Sequence, residues 1–317
     1  MKCASFFAGV GGIDLGFEQA GFATIYANEI DKFAVQTLKQ NFDFTIDHRD
    51  IHDVKTDEIP DFDIMLAGFP CQAFSVAGYR QGFDDKQGRG NLFFELERIF
   101  TVKKPKIIFL ENVKNLVGHD KGNTFKVILD TLQSHGYHVK HQVLNASDYG
   151  NIPQNRERIY IVCFLDKQVF EKFEFPKPIP RQTSISDMLE DEDSIDKKFY
   201  YTDKTPFFEQ LTHDIKDAKT LYQWRRQYVR ENKNQVCPTL TANMGTGGHN
   251  VPLLNVQGLP TTIRKLTPRE CFNFQGFPKD FNLPTTTSNA NLYKQAGNSV
   301  VVPVIARIAE QIKKAIS

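Results

Sequence analysis

The sequence predicts an α/β fold: a Rossmann-like sheet with helices on both faces, joined to a smaller irregular domain. Three observations carry that expectation. Up to about residue 165, short apolar runs alternate with amphipathic stretches, the pattern of parallel strands joined by crossover helices. At FPKPIPRQTS, 175–184, closely spaced prolines break the pattern, and an irregular region follows to about 290. The last segment, VVVPVIARIAEQIKKAI, then returns to the spacing of a helix that must bury one face.

Taken in order, KCASFF, ATIYAN, DIMLAG, KIIFLEN, YHVKHQVLNA and RIYIVCFL read as strands, being short, apolar and rich in β-formers. Between them GGIDLGFEQAG, KFAVQTLKQNF, NLFFELERIFTV and NTFKVILDTLQSHG repeat apolar residues at i, i+3 and i+4 and read as helices. A third strand is expected to end near Asp50. The middle region mixes acidic DEDSID, basic RRQYVRENK and the amide- and glycine-rich TANMGTGGHN, and offers no obvious sheet. The terminal helix must therefore fold back, which makes the main domain discontinuous: 1–180 with 291–317, and a second domain over 181–290.

With 317 residues the chain can build a sizeable core. Its net charge of +1 excludes a polycation, so any nucleic-acid surface must be a local patch. Runs such as IIFLENV fall far short of a membrane span, and MKCASFFAGVGG turns into a glycine loop before a signal core could form. A cytoplasmic protein with no membrane partner is expected. Cysteines lie at 3, 71, 163, 237 and 271, with no C-x-x-C pair and no His at metal spacing, so neither a metal site nor a disulfide framework is expected.

FFAGVGG follows the first strand and opens the first helix, where Gly9, Gly11 and Gly12 allow a ligand close to backbone amides. The second strand ends in Asn28-Glu29, and an acid about 20 residues beyond such glycines suits ribose hydroxyls. Asp50 could accept an adenine amino group, with Ile51 packed on the ring. A ribose and an adenine without a partner for phosphate fit S-adenosylmethionine as well as NAD. Gly68-Phe69-Pro70-Cys71-Gln72 places a thiol at the C-terminal end of a strand, where local dipoles can activate it. One strand later Glu111-Asn112-Val113 can face the same pocket, and Gln154-Asn155-Arg156-Glu157-Arg158 brings two guanidiniums to the start of the last strand.

In order along the chain, FAGVGG, NEID, RDI, FPCQAFS, RGNLFF, ENV, QNRER, RKLTPRE and AGNSV resemble the motif series of the bacterial cytosine-5 DNA methyltransferases of restriction-modification systems, from residue 6 to about 303. The resemblance implies the S-adenosylmethionine-dependent methyltransferase sheet plus a target-recognition domain. It implies a DNA (cytosine-5-)-methyltransferase that leaves S-adenosylhomocysteine as product.

Residue by residue, the resemblance makes Cys71 the nucleophile on cytosine C6 and Glu111 the group at N3. Arg158 would contact the cytosine O2 or a nearby phosphate, and Arg156 would orient Glu111 or the backbone. Phe6, Ala8, Gly9, Gly11 and Gly12 would shape the methionine side of the cofactor pocket, with Glu29 on the ribose and Asp50-Ile51 on adenine. Pro70, Leu92, Asn298 and Ser299 complete it. Residue 30 is Ile where relatives often carry an aromatic, which implies weaker adenine stacking.

The target cytosine must leave the duplex stack, at a cost of about a few kcal/mol. Directly after Cys71, SVAGYRQGFDDKQGRG (75–90) reads as a mobile loop that closes over it, with Gln72, Ser75, Arg80 and Arg89 as DNA contacts. Arg225 and Arg226 would meet phosphates, and Thr239, Thr241 and Asn243 base edges. Implied partners are double-stranded DNA and a cognate restriction endonuclease that forms no stable complex with a monomeric methyltransferase. The rival readings are a tRNA cytosine-5 methyltransferase of the same fold, a NAD-dependent oxidoreductase and a catalytically silent DNA-binding relative.

Overall fold

The computed structural model describes residues 1–70, 92–246, 250–256 and 263–317. They form two compact units: Met1–Leu144 with Glu157–Pro176 and Ile305–Ser317, and Asn145–Arg156 with Lys177–Val304. The proline-rich stretch carries a division after Pro176, and residues 291–304 lie in the second unit.

The first unit holds β1 (Lys2–Phe6), α1 (Gly12–Gln19), β2 (Ala23–Asn28), α2 (Lys32–Asn41), β3 (Thr45–Asp47), β4 (Ile64–Gly68), α3 (Leu92–Lys103), β5 (Ile107–Val113), α4 (Asn123–Ser134) and β6 (His138–Asn145). After the short α5 (Ala146–Tyr149) of the second unit come β7 (Glu157–Phe164) and α6 (Lys167–Lys172). The second unit continues with α7 (Phe208–Asp214), β8 (Tyr222–Trp224), β9 (Val229–Glu231), β10 (Leu253–Asn255), β11 (Ile263–Lys265), α8 (Pro268–Asn273) and α9 (Asn289–Asn298), and α10 (Val302–Ile316) ends the chain.

Among the described residues the first unit's sheet has the order β3-β2-β1-β4-β5-β7-β6. β1 pairs in parallel with both β2 and β4, and β4 with β5. The strand order reverses between β1 and β4, so the C-terminal ends of these two strands bound the crevice in which ligands of open α/β sheets lie. Burial runs unbroken along Ile64–Ala67 and Ile107–Asn112 instead of alternating, the signature of strands covered on both faces.

Two expectations need correction. The sheet is not wholly parallel: β7 runs antiparallel to β5, from Ile107 opposite Phe164 to Val113 opposite Arg158. The third strand ends at Asp47, and Asp50 instead caps a 3-10 turn at Ile51–Asp53 by accepting the His52 amide. In the terminal helix Ile305, Ile308 and Ile312 are fully buried in the first unit, each contributing on the order of 1.5–3 kcal/mol. Lys313 Nζ there donates to the Ala20 carbonyl at 2.9 Å.

The second unit also departs from expectation, because its irregular sequence contains an antiparallel sheet of order β11-β10-β8-β9. Its core includes Leu211, Tyr222, Leu253 and Ile263, and the chain's one tryptophan, Trp224, stacks on Phe207 at 4.7 Å. The RKLTPRE motif is structural: Arg264, fully buried, bonds both carboxylate oxygens of Glu192 and of Glu270. Glu270 closes a capping box with Thr267 at the start of α8.

Asp14 ties α1 to two strands, its carboxylate accepting from Ser5 Oγ at 3.0 Å and Thr24 Oγ1 at 3.1 Å. Burial pushes this carboxyl up to about 6 from an ordinary 3.8, against the two hydroxyl bonds that lower it. A carboxyl raised in the folded state favours folding while protonated, and that contribution is lost as pH rises through the folded value. The stability of the wild type relative to Asp14→Asn should therefore fall by about 3 kcal/mol between about pH 4 and pH 7. Denaturant titration across that range checks it, and a pH-independent difference would contradict it.

Candidate functional site

At the end of β1 the chain enters a tight loop with positive φ at Phe7 (56°), Gly9 (57°) and Gly11 (81°). Gly11 caps α1 in the left-handed region, a conformation that costs a residue with a Cβ. Glu29, at the end of β2, braces this loop. Its Oε2 accepts the Gly9 amide at 2.7 Å and its Oε1 the Asp31 amide at 2.7 Å. Burial pushes the Glu29 carboxyl up, opposed by these amide bonds. Apart from Gly9 and its chain neighbours, no atom of the described residues lies within 4 Å of where a Cβ on Gly9 would stand, so the loop is open on that side.

Asn28 holds the neighbouring strand end, donating to the carbonyls of Asp47 and Arg49. Ile30 beside it is 60% exposed. Asp50 stays partly open, its carboxyl held low by the backbone amide and ring of His52. Two cofactor candidates turn inward: the Phe6 ring is fully buried against Tyr26 and Phe62, and Ile51 lies in the same hydrophobic cluster. Of the nearby apolar side chains nominated for adenine, Ile30 is therefore the exposed one. Gly12 opens α1, Ala8 donates its amide to the Asn28 carbonyl, and Leu92 begins α3 packed against the core.

At the ends of β4 and β5, Gly68 sits in register with Glu111, and a Cβ on Gly68 would lie 3.5 Å from the Glu111 Oε2. Because β7 is antiparallel, its first residues arrive at this same edge. Arg158 Nε stands 3.2 Å from Glu111 Oε1, with the two side chains only 13% and 11% exposed. A second Arg158 nitrogen, Nη1, donates to the Glu157 carbonyl at 2.8 Å, which sets the guanidinium's orientation. Asn112, which sequence reasoning left without a role, donates to the Phe69 carbonyl at 2.8 Å and so anchors the chain leaving β4 toward exposed Pro70. Cys71, Gln72, Ser75, Arg80 and Arg89, and the expected closing loop, lie outside the described residues. The other four cysteines are buried, and burial pushes each thiol up, away from the thiolate a nucleophile needs.

Arg156 belongs to the second unit, and its described bonds go to the backbone. It donates to the carbonyls of Leu240 at 2.7 Å, Gly297 at 3.2 Å, and Ser299. Asn298 ends α9 exposed, and the Ser299 hydroxyl is buried with no hydrogen-bond partner among the described residues.

The same unit has a groove of about 1100 Å³ with Arg225, Thr239, Thr241 and Asn243 on its wall. Arg181, Arg230 and Lys233 join them, against the carboxylates of Asp148 and Glu231, so the lining is locally basic in a nearly neutral chain. Arg226 is off this wall, exposed at a positive φ of 65° in the β8–β9 turn. No helix of the described residues is long and apolar enough to cross a membrane.

Comparison with known proteins places this geometry. The model of the C-5 cytosine-specific DNA methylase family matches residues 1–314. The chain is 60% identical over 316 residues to the Type II methyltransferase M.Bsp6I of Bacillus sp. (strain RFL6), covering 99% of each chain. It is 43% identical to M.NlaX of Neisseria lactamica, covering 100% of this chain and 97% of that one. The solved structure of S. pombe Dnmt2 superposes with a TM-score of 0.76 over 100% of this chain and 99% of that one; at 18% identity the likeness shows the fold alone. No oxidoreductase reading accounts for a family match of this extent, and the tRNA reading is the less favoured one. With residues 1–314 matched and three fifths of a full-length relative shared, the chain belongs to the C-5 cytosine-specific DNA methylases.

Proposed function

We propose that this methylase modifies a cytosine within a short specific sequence of duplex DNA, extruding the base and adding the Cys71 thiolate to its C6. The buried Glu111–Arg158 pair carries the reading: it stands at the end of β5, in register with the end of the strand from which the chain continues through Pro70 to Cys71. Cys71 is also the cysteine left once the four buried thiols are set aside.

As the thiolate bonds to C6, electron density moves through the ring toward N3, where the Glu111 carboxyl donates or shares a proton. Arg158 holds that carboxyl in one orientation and has further N–H donors for the cytosine O2. C5 becomes the nucleophile. After methylation a base removes the C5 proton, the C6–sulfur bond breaks, and Cys71 leaves as thiolate.

S-adenosylmethionine, when bound, would supply the electrophilic methyl group, with S-adenosylhomocysteine as the product. The donor set suits it. The open side of Gly9 admits a ligand against backbone, and the buried Glu29 carboxylate can take ribose hydroxyls. Ile30 presents an apolar face for adenine, Asp50 an acceptor for its amino group, and FFAGVGG carries no basic side chain to meet a phosphate. Asn298 and Ser299 are assigned to the same cofactor by the motif they belong to.

The basic groove of the second unit is read as the DNA-recognition surface, with Arg225 on phosphate and Thr241 and Asn243 on base edges. As in the Type II systems for which its relatives are named, the methylase is proposed to protect the target of a cognate endonuclease, acting as a monomer without a stable complex.

Glu111→Gln should lower the single-turnover methylation rate by about 10²-fold or more, the scale of lost acid–base help, with DNA binding retained. A near-normal rate would remove Glu111 from the chemistry. Glu29→Ala should weaken S-adenosylhomocysteine binding by about 1–3 kcal/mol in isothermal titration. Wild-type affinity in that variant would place the cofactor elsewhere.

A further inference from the structure

The run Gln154-Asn155-Arg156 lies against the segment 237–241 within the second unit, and its two flanking side chains both bond Leu240. The Leu240 amide donates to Gln154 Oε1 at 3.2 Å, and the Leu240 carbonyl accepts from Arg156 Nη1 at 2.7 Å. Side chains thus capture both polar groups of a single peptide residue, with Leu240 itself 1% exposed. On either side the bonding continues. The Asn155 amide donates to the Cys237 carbonyl at 2.8 Å, and Thr239 Oγ1 donates to the Asn155 carbonyl at 2.6 Å.

The two clamping side chains are themselves fixed. Gln154 is fully buried, and its Nε2 donates to the Phe274 carbonyl at 2.6 Å and to Gln275 Oε1 at 3.2 Å. Arg156, 3% exposed, is held in addition by the carbonyls of Gly297 and Ser299. From the other side α9 presses directly on this backbone: a Cβ on Gly297 would stand 2.1 Å from the Thr241 carbonyl carbon. The segment is thus held from two sides, by the run and by α9.

That bracing matters because of where the neighbours lie. Alternation along an extended segment sends Leu240 inward and sets Thr239 and Thr241 on the wall of the basic groove, followed by Asn243. Hydrogen-bond discrimination between bases requires donors and acceptors held to about half an ångström, which a free loop does not supply. We infer that Gln154 and Arg156 are specificity-determining positioning residues: they lock Leu240 so that Thr239, Thr241 and Asn243 meet base edges in one register.

The inference rests on the reading of the groove as the DNA surface. It also moves Arg156 from the reacting centre to recognition. Loosening the lock should therefore degrade the choice of sequence more than the rate on the right sequence.

Bisulfite sequencing of DNA from a host expressing the wild type defines the target. Duplexes with that target, or with one base pair of it changed, are then methylated by wild type, Arg156→Lys and Gln154→Asn, with thermal unfolding of each variant recorded alongside. Gln154→Asn draws the carboxamide back by a single methylene, from Leu240 and from its supports at Phe274 and Gln275 alike, and leaves all charges in place. The ratio of cognate to near-cognate rates should fall about tenfold or more in each variant, the scale of one misread base pair. The cognate rate at saturating DNA should fall less.

Wild-type discrimination in either folded variant overturns the inference. So does a folded Arg156→Lys that methylates nothing, since that would return Arg156 to the chemistry. The groove has its own control: Arg230→Ala with Lys233→Ala should flatten the salt dependence of DNA binding by about 1 in slope per lost phosphate contact, without changing the target. An unchanged slope there overturns the reading of the groove itself, separately from the lock.

Discussion

The antiparallel pairing of β7 with β5 brings Val113 opposite Arg158 at the edge where β4 and β5 both end. A parallel β7 would begin at the opposite edge and carry Arg158 a full strand length from Glu111. Reversal of this one strand therefore sets the charge pair on which the proposed chemistry depends. The pair is nearly buried, and removing one partner of such a pair leaves an uncompensated charge, a cost of about 3–5 kcal/mol where burial is complete. Arg158 is thus a structural requirement for Glu111 as well as the proposed partner of the cytosine O2. Asn112 extends the same logic by holding the Phe69 carbonyl and with it the exit of the chain from β4.

Around that edge the parallel strands do what open α/β sheets do. The order reversal between β1 and β4 sets the glycine loop beside the β4 exit, so the brace from Glu29 to Gly9 and the Glu111–Arg158 pair stand along the same edge of the first unit's sheet. Asp14, beneath the loop, fastens α1 to β1 and β2 through two hydroxyls. A short helix that must present its N-terminus accurately gains from such a buried anchor, at the expense of a carboxylate poorly solvated at neutral pH. The second unit uses a different device, gathering backbone carbonyls onto one buried guanidinium.

The ends of β1, β2, β4 and β5 were legible in the sequence because each is a continuous apolar run that stops at a chemically distinctive residue. The third strand was not, since only Thr45–Asp47 pair and Asp50 belongs to the turn after them. Nor was the small sheet, whose strands of three residues each are too short to show a period of two. Strand direction leaves no mark on local pattern, so β7 read as one more parallel strand. Arg156 was expected to orient Glu111 or the backbone, but which backbone it meets was not legible: its carbonyl partners at Leu240 and Gly297 lie far along the chain. Gln154 stood in the sequence only as the first residue of the QNRER motif, with no role of its own. Only its partners at Leu240, Phe274 and Gln275 reveal it, contacts of long sequence separation that no local pattern encodes.

The central claim is that the reacting centre lies where β4 leads into Cys71 beside Glu111. Duplex DNA with 5-fluorocytosine at the target tests it most directly, because fluorine at C5 blocks the final elimination and leaves the enzyme bonded to C6. Peptide mapping of the trapped complex should place the adduct on Cys71. An adduct on Cys3, Cys163, Cys237 or Cys271, or an active enzyme that forms none, would contradict the account.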